Sequence, residues 1–245
     1  HVRARWPGNG GPLACSPPRH HAPALQYRPR RTGKGMTEAS ADNREFRSRA
    51  AELIDAGRSL YARGMVPATS GNFSARLGDG TIAITVSGSH KGMLGEADIM
   101  RLDAHGRSLD TRRPSAETGL HLQIYRRFPD VQAVLHPHSV NATLLSRRHD
   151  TDLVLEDYEL LKAFPGIDTH ACRVTVPNFA NDQDIGRLAA KVDAWMAGNA
   201  PLYGYLIAGH GFYTWGASVA EALRHVEAFE FLFDCELRLR GLPSS

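Results

Sequence analysis

Two histidines stand one residue apart in the stretch AVLHPHSVNATLL, where an apolar run meets polar residues. If the backbone is extended there, His136 and His138 project from the same side, because strand side chains alternate with a period of two. Such a pair can bind one ion through two neutral imidazole nitrogens. His210, between glycines in IAGHGFYTWG, is the third candidate ligand. Three histidines with one open position match a catalytic zinc site, and the alternative is turn histidines that bond backbone carbonyls.

Two loops rich in small and hydroxyl-bearing residues are candidates for binding an anion. Backbone N–H groups, hydroxyls and a lysine can surround a phosphate, and the start of a helix adds its dipole. Neither loop matches a nucleotide P-loop or a dinucleotide fingerprint, and each loop taken alone is most often a turn. Together they predict a phosphate pocket, whose candidate residues are Gly71, Asn72, Ser87, Gly88, Lys91 and Ser115.

Two glutamates are candidates for acid–base catalysis. Glu117 lies in PSAETGLHLQIY, in the first turn of a predicted helix, and Glu159 lies in LEDYELLKAF. A first-turn glutamate also complements the helix dipole, and exposed helical glutamates are common, so each has a structural alternative. A metal beside an enolisable substrate would need such a base. His121, one turn after Glu117, is predicted to pack in a core rather than to bind metal.

Alternating helices and strands must position these side chains. The hydrophobic periodicity predicts helices over residues 43–63, 114–128, 139–148, 156–163, 181–196 and 218–240. Strands are predicted over residues 81–88, 131–136 and 172–177, and on both sides of the turn from Gly209 to Gly211, while residues 67–77 are predicted as a loop. Because no internal repeat or linker interrupts this order, we expect a single α/β domain over residues 36–245.

The net charge of +3 belongs to the first 35 residues. They hold seven of the 29 Lys and Arg residues and no acid, so the remaining 22 basic and 26 acidic residues carry −4. The same segment holds six of the 14 prolines and lacks hydrophobic periodicity. It predicts a disordered leader or a non-native upstream extension, and an Arg-rich, acid-free transit peptide is the alternative. The main body has no basic footprint typical of nucleic-acid binding.

Composition excludes two further classes of protein. No apolar run approaches the ~20 residues that a membrane-spanning helix needs. Three cysteines without framework spacing argue against a disulfide scaffold and favour a reducing compartment, so the cytoplasm is expected.

Five motifs together resemble a known family. TSGNFSARL, VSGSHKGML, PSAETGLHLQIY, AVLHPHS and AGHGFYTWG follow the order and spacing of the class II aldolase/adducin superfamily, over about residues 43–240. The HGFYTWG ending and YELLKAF are most similar to the branch that dehydrates 5-methylthioribulose 1-phosphate in methionine salvage.

The resemblance implies a three-layer α/β/α sandwich with a largely antiparallel central sheet, and a homotetramer with active sites between subunits. It implies one Zn²⁺ per subunit, bound by His136, His138 and His210, and no organic cofactor. Glu159 would match the acid/base of the dehydratases, and the small-residue loops would bind the phosphate of the sugar substrate. Glu117 matches the catalytic carboxylate of the aldolases, whereas some eukaryotic dehydratases carry Cys there. This departure leaves open which glutamate moves the first proton and whether Glu117 is a fourth metal ligand.

The implied activity is that of a carbon–oxygen lyase that forms 2,3-diketo-5-methylthiopentyl 1-phosphate. The alternatives are a class II sugar-phosphate aldolase or epimerase that uses the same metal, and a non-enzymatic adducin-like interaction domain. A small phosphorylated sugar is the expected partner, and neither nucleic acid nor membrane is expected.

Overall fold

The computed structural model describes residues 38–148, 152–199 and 202–241. Its helices are α1 (Glu38–Ala62), α2 (Thr118–Arg127), α3 (Val140–Arg148), α4 (Ile185–Gly198) and α5 (Val219–Leu239). Its strands are β1 (Asn72–Arg76), β2 (Ile82–Thr85), β3 (Ile99–Leu102), β4 (Ala133–His136), β5 (Leu153–Glu156), β6 (Arg173–Val176), β7 (Asn178–Phe179), β8 (Gly204–Ile207) and β9 (Gly211–Gly216). Short 3-10 helices cover Lys91–Met93, Glu96–Asp98 and Glu159–Ala163. The leader predicted for residues 1–35 lies outside the described residues, and the single domain over 36–245 stays a prediction.

Seven strands form the central sheet in the order β3-β2-β1-β4-β9-β8-β7. Every neighbouring pair is antiparallel except β7 and β8, which are parallel. The predicted α/β class and largely antiparallel sheet are therefore confirmed. A separate antiparallel ribbon pairs β5 with β6. None of the described helices is long and apolar enough to cross a bilayer.

Helices cover both faces of the sheet and create two hydrophobic cores. Helices α1, α3 and α5 pack on one face, and α2 and α4 pack on the other. The central strand β4 serves both cores, because Ala133 and Leu135 face the first while Val134 faces the second. Strands buried on both sides need continuous apolar runs, which explains the AVL that leads to His136.

Two of the predicted elements were wrong. The predicted loop over residues 67–77 contains β1, which lies between β2 and β4 in the sheet. Its sequence NFSAR is poor in β-branched residues, so its pairing and burial, rather than propensity, make it a strand. The predicted helix over 156–163 is instead the end of β5 followed by a 3-10 helix. Strands β3 and β7 were not predicted.

Gly71 brings β1 beside the end of β4. Its φ is +77°, and a Cβ there would lie 2.6 Å from the backbone oxygen of His136. That oxygen belongs to a strand end and cannot move freely, so only glycine permits the approach.

We expect Gly71→Ala to destabilise the protein more than Gly80→Ala. Gly80 also has a positive φ, +82°, but a Cβ there would have no neighbour within 4 Å. Its substitution should cost about 1–2 kcal/mol of left-handed strain, and the contact with His136 should add roughly 1–3 kcal/mol at Gly71. Urea denaturation of both variants measures the difference in unfolding free energy. Equal losses would show that the approach to His136 is not constrained.

Candidate metal centre

Three imidazoles converge at one end of the central sheet. His136 is the last residue of β4, His138 follows it before α3, and His210 lies in the turn between β8 and β9. The Nε2 of His136 lies 2.9 Å from that of His138 and 3.4 Å from that of His210, and the remaining Nε2 pair is 3.1 Å apart. One carboxylate oxygen of Glu117 completes a group of four donor atoms within 4.8 Å of one another.

Backbone carbonyls and hydroxyls hold these histidines in place. The Nδ1–H of His136 donates to the Phe212 oxygen at 2.8 Å, which turns its Nε2 lone pair towards the other rings. The ring of Tyr213 stacks on His136 with centroids 3.9 Å apart. From α3, Thr143 donates to the backbone oxygen of His210 at 3.1 Å. The site is therefore preorganised by the sheet and by α3.

The geometry of this group and the lowered pKa of His138 fit a tetrahedral metal ion. Ligand nitrogens at ~2.0–2.1 Å from a shared zinc lie about 3.3 Å apart, close to the observed spacing. Burial, followed by the charges of His136 and His210, lowers the pKa of His138 to about 2. A neutral imidazole offers its lone pair, which is the form that binds metal. Three unprotonated ring nitrogens at this spacing would repel one another, and a cation shared between them removes that repulsion.

Glu117 supplies the carboxylate of the group. It is the N-cap of α2, one residue before the helix begins, rather than part of the predicted first turn. Its Oε1 lies 3.1 Å from His210 Nε2, and its Oε2 lies 3.4 Å from His136 Nε2. Burial raises its pKa, but the charges and hydrogen bonds of the two histidines outweigh burial and hold the pKa well below its usual range. Glu117 is therefore an anion and a fourth candidate ligand.

Glu159 does not join this group within the single chain. It begins an exposed 3-10 helix, and its side chain is 73% exposed. Its carboxylate pairs with Lys162 at 2.5 Å and lies 3.7 Å from His170 Nδ1. The hydrogen bond from Lys162 lowers the pKa of Glu159. The role of Glu159 as the base therefore stays a prediction.

All six candidate phosphate-binding residues line one cleft beside the histidines. The cleft has a volume of about 440 Å³ and also includes Glu117, His138 and His210 in its wall. The structure thus brings together two loops and a helix start that are far apart in the sequence. The six residues are Gly71, Asn72, Ser87, Gly88, Lys91 and Ser115.

Lys91 is a buried cation in the wall of this cleft. Its Nζ donates to the backbone oxygens of Ser89 at 2.6 Å and Thr69 at 3.1 Å, which leaves one of its three N–H donors for another acceptor. Burial lowers the pKa of Lys91 to about 8, and the charge of Asp98 opposes this shift. A phosphate would provide the strong acceptor that the two carbonyls do not.

Sequence reasoning missed one wall of the cleft. Asn181, Asp182 and Gln183, from the loop before α4, face the phosphate-binding loops. The NDQD sequence indicates only a helix start, so no pattern marked it. Asp182 pairs with Arg187 at 2.5 Å and Lys191 at 3.4 Å, and the hydrogen bond from Arg187 is the main cause of its lowered pKa. These two cations offset the repulsion that its carboxylate would exert on an anionic ligand.

The chain matches the family described as Class II Aldolase and Adducin N-terminal domain over residues 51–237. It is 66% identical over 198 residues to the methylthioribulose-1-phosphate dehydratase of Methylococcus capsulatus, covering 81% of this chain and 97% of that protein. It is 58% identical over 193 residues to the protein of the same name from Azotobacter vinelandii, covering 78% and 94%.

A solved structure agrees with these relatives. The L-fuculose-1-phosphate aldolase of Thermus thermophilus superposes with a TM-score of 0.65 at 26% identity, covering 80% of this chain and 96% of that chain. The chain therefore belongs to the class II aldolase and adducin family, and the resemblance predicted from the five motifs is confirmed.

We expect His210→Ala to lose metal without losing the fold. His210 lies in a turn and is partly exposed, so its loss leaves both cores intact. Metal affinity should fall by more than the roughly 10- to 100-fold that outer-shell changes cause. His225→Ala is the control, because His225 is equally a histidine but is buried against the Trp215 carbonyl, away from the group. Metal analysis after dialysis measures the result, and full occupancy in His210→Ala would contradict the assignment.

Phosphate affinity should depend on the charge of Lys91. The ammonium form predominates below pH 8, so binding should be full there and weaken as the pH rises through about 8. Lys91→Met should weaken binding of a phosphorylated sugar ten- to a hundredfold, corresponding to a charge-assisted hydrogen bond of ~1.5–3 kcal/mol. Titrations on both sides of pH 8 test both points. If the variant retains the wild-type affinity, or the same dependence on pH, Lys91 does not bind the phosphate.

Proposed function

We propose that this class II aldolase family member is a hydro-lyase that dehydrates 5-methylthioribulose 1-phosphate to 2,3-diketo-5-methylthiopentyl 1-phosphate, a step of methionine salvage. The observation that carries the proposal is one cleft that combines three converging histidines, a carboxylate and a buried lysine beside small-residue loops. The relatives at 66% and 58% identity are both named methylthioribulose-1-phosphate dehydratase, which supports this substrate.

Phosphate and sugar would occupy different parts of the cleft. Lys91, the backbone N–H groups near Gly71 and Gly88, and the Ser115 hydroxyl bind the phosphate. Because His138 and His210 line the same cleft, the sugar carbons then face the histidines. Zn²⁺, one per subunit, is the proposed metal, since three histidines with one further position suit a catalytic zinc. When bound, it polarises carbonyl and hydroxyl oxygens as a Lewis acid.

The chain's own carboxylates move the protons. A glutamate removes the C3 proton, which is acidic because C3 lies next to the C2 carbonyl. The C4 hydroxyl then leaves as water after receiving a proton, and the enol that remains ketonises to the 2,3-diketone. The net change is loss of one water molecule, and no organic cofactor is consumed.

Glu159 is the proposed base, and it must act at the cleft of another subunit. Its exposure in the single chain fits a side chain that completes a site across an interface in a homotetramer. Helix α5 contacts both the 3-10 helix that begins with Glu159 and α3. These three elements expose the large apolar side chains of Val140, Leu144, Leu160 and Phe231. Glu117 then orients the metal and substrate rather than removing the proton.

A sugar-phosphate aldolase is the second candidate. Glu117 contacts two of the histidines, whereas Glu159 does not reach them within the chain. The fold likeness to an L-fuculose-1-phosphate aldolase is in line with this alternative. An adducin-like interaction domain has no need of the converging donor atoms. The scattered cysteines favour a cytoplasmic location for either enzyme.

Product identification tests the proposed function directly. The protein loaded with zinc is incubated with 5-methylthioribulose 1-phosphate, and His210→Ala is the matched control. The dehydratase forms a product lighter by one water, with the absorbance of a diketone. An aldehyde fragment would establish the aldolase, and unchanged substrate would reject both activities.

Isosteric changes should separate the two glutamates. Glu159→Gln should retain zinc and lower turnover by ~10²–10⁴-fold, because a general base has been removed. Glu117→Gln should reduce turnover less, since three imidazoles still hold the metal. Solvent deuterium exchange at C3 measures the proton-transfer step itself. If Glu117→Gln abolishes exchange while Glu159→Gln preserves it, the base is Glu117.

A further inference from the structure

A hydrogen-bonded network of buried polar side chains runs from Glu117 into the core behind the cleft. Asn72 Nδ2 donates to Glu117 Oε2 at 2.7 Å, and Asn72 Oδ1 contacts His121 Nε2. His121 Nδ1 lies 2.7 Å from Ser74 Oγ, which lies 2.8 Å from the Tyr125 hydroxyl. Asn72, Ser74, His121 and Tyr125 are all at most 4% exposed. Of the four candidate metal ligands, only Glu117 belongs to this network, and it lies at one end.

Two sequence periods build this network. His121 and Tyr125 are four residues apart on one face of α2, and Glu117, the N-cap residue, lies four residues before His121. Asn72 and Ser74 are spaced by two, so they point from one face of β1. The side chains of helix and strand interleave, and each polar atom that meets another has a partner. A fully partnered buried network of this kind fixes one arrangement, whereas a broken one is costly.

The donor direction of the hydrogen bonds in this network follows from the orientation of the Asn72 amide. Its Nδ2 donates to Glu117 and its Oδ1 contacts His121 Nε2, so the amide oxygen accepts from His121. His121 Nε2 therefore carries the proton, and because burial lowers the pKa of His121 to about 3, its Nδ1 is a bare acceptor. Ser74 must then donate to Nδ1, and the Tyr125 hydroxyl must donate to Ser74. No member can reverse its bond without breaking another.

We propose that His121, Ser74 and Tyr125 are positioning residues that lock the Asn72 amide so that it aims the Glu117 carboxylate at the metal site. Without His121, the Asn72 amide could turn its oxygen towards Glu117 and repel it. The inference also changes the role predicted for Asn72: its amide is oriented from the core, and its first partner is Glu117 rather than phosphate. The inference rests on the proposed function only where turnover is measured.

Metal affinity tests the proposal without any assumption about the reaction. His121→Leu removes both hydrogen bonds, and His121→Gln restores a donor near the position of Nε2. His225→Leu is the matched control, because His225 is also a buried neutral histidine. It is hydrogen-bonded to the Trp215 carbonyl, outside the network. Zinc dissociation constants come from competition with a chelator, and unfolding free energies come from urea denaturation of the metal-free proteins.

We expect His121→Leu to weaken zinc binding by about 10- to 100-fold, the usual effect of losing an outer-shell partner. His121→Gln should recover most of that loss, and His225→Leu should leave zinc affinity within about twofold even where it destabilises the fold. If both leucine variants lose stability but neither loses zinc affinity, the network only holds α2 against β1 and the proposal is overturned.

Tyr125, at the end of the network opposite Glu117, offers an independent measurement. Tyr125→Phe removes one hydroxyl and should weaken zinc binding by about two- to tenfold, as expected for one neutral hydrogen bond. Tyr203→Phe is the control, because the buried Tyr203 hydroxyl donates to the Pro165 oxygen, away from the network. Where turnover is detected, kcat should fall in Tyr125→Phe with KM unchanged. Equal zinc affinities in the two variants would show that Tyr125 does not position Glu117. This outcome differs from failure of the proposed function, in which the wild type binds zinc but does not dehydrate the substrate.

Discussion

The convergence of three imidazole nitrogens on one point is the constraint on which the rest of the site depends. The Nε2 atoms lie 2.9–3.4 Å apart, and unprotonated nitrogens at that spacing repel one another unless a cation lies between them. The fold enforces this arrangement through the central strand β4 and the turn after β8. Gly211 shows how tightly the segments approach, since a Cβ there would lie 2.3 Å from the Pro137 oxygen. The scaffold therefore maintains a geometry that is unfavourable without an ion.

Two side chains of opposite charge lie in the same cleft. The histidine group includes the Glu117 anion, and the wall of the same cleft includes the Lys91 cation, which burial makes unfavourable. A divalent cation at the histidines and a phosphate at Lys91 would balance both, and a phosphorylated sugar that reaches the metal is the ligand class with that pattern.

Local sequence signals predicted the parts of the site that lie on short segments. The extended His136–His138 pair and the glycine-flanked His210 were recognisable, and the six phosphate-binding candidates do line one cleft. Strand β1 could not be predicted because its residues disfavour strands and only pairing with β2 and β4 makes it one. The contacts of His121 with Asn72 and Ser74 could not be predicted, because both partners come from β1 and their position opposite α2 exists only in the folded protein. The role of Glu159 stays a proposal, because its carboxylate lies outside the histidine group in the single chain.

The central claim is that this group of donors binds one divalent metal ion. Anomalous diffraction at the zinc edge, from crystals of the protein purified with zinc and dialysed against buffer, tests it most directly. The account predicts one anomalous peak per chain, within bonding distance of the Nε2 atoms of His136, His138 and His210. A protein that retains no zinc, or a peak bound elsewhere with these three nitrogens left unligated, would contradict it.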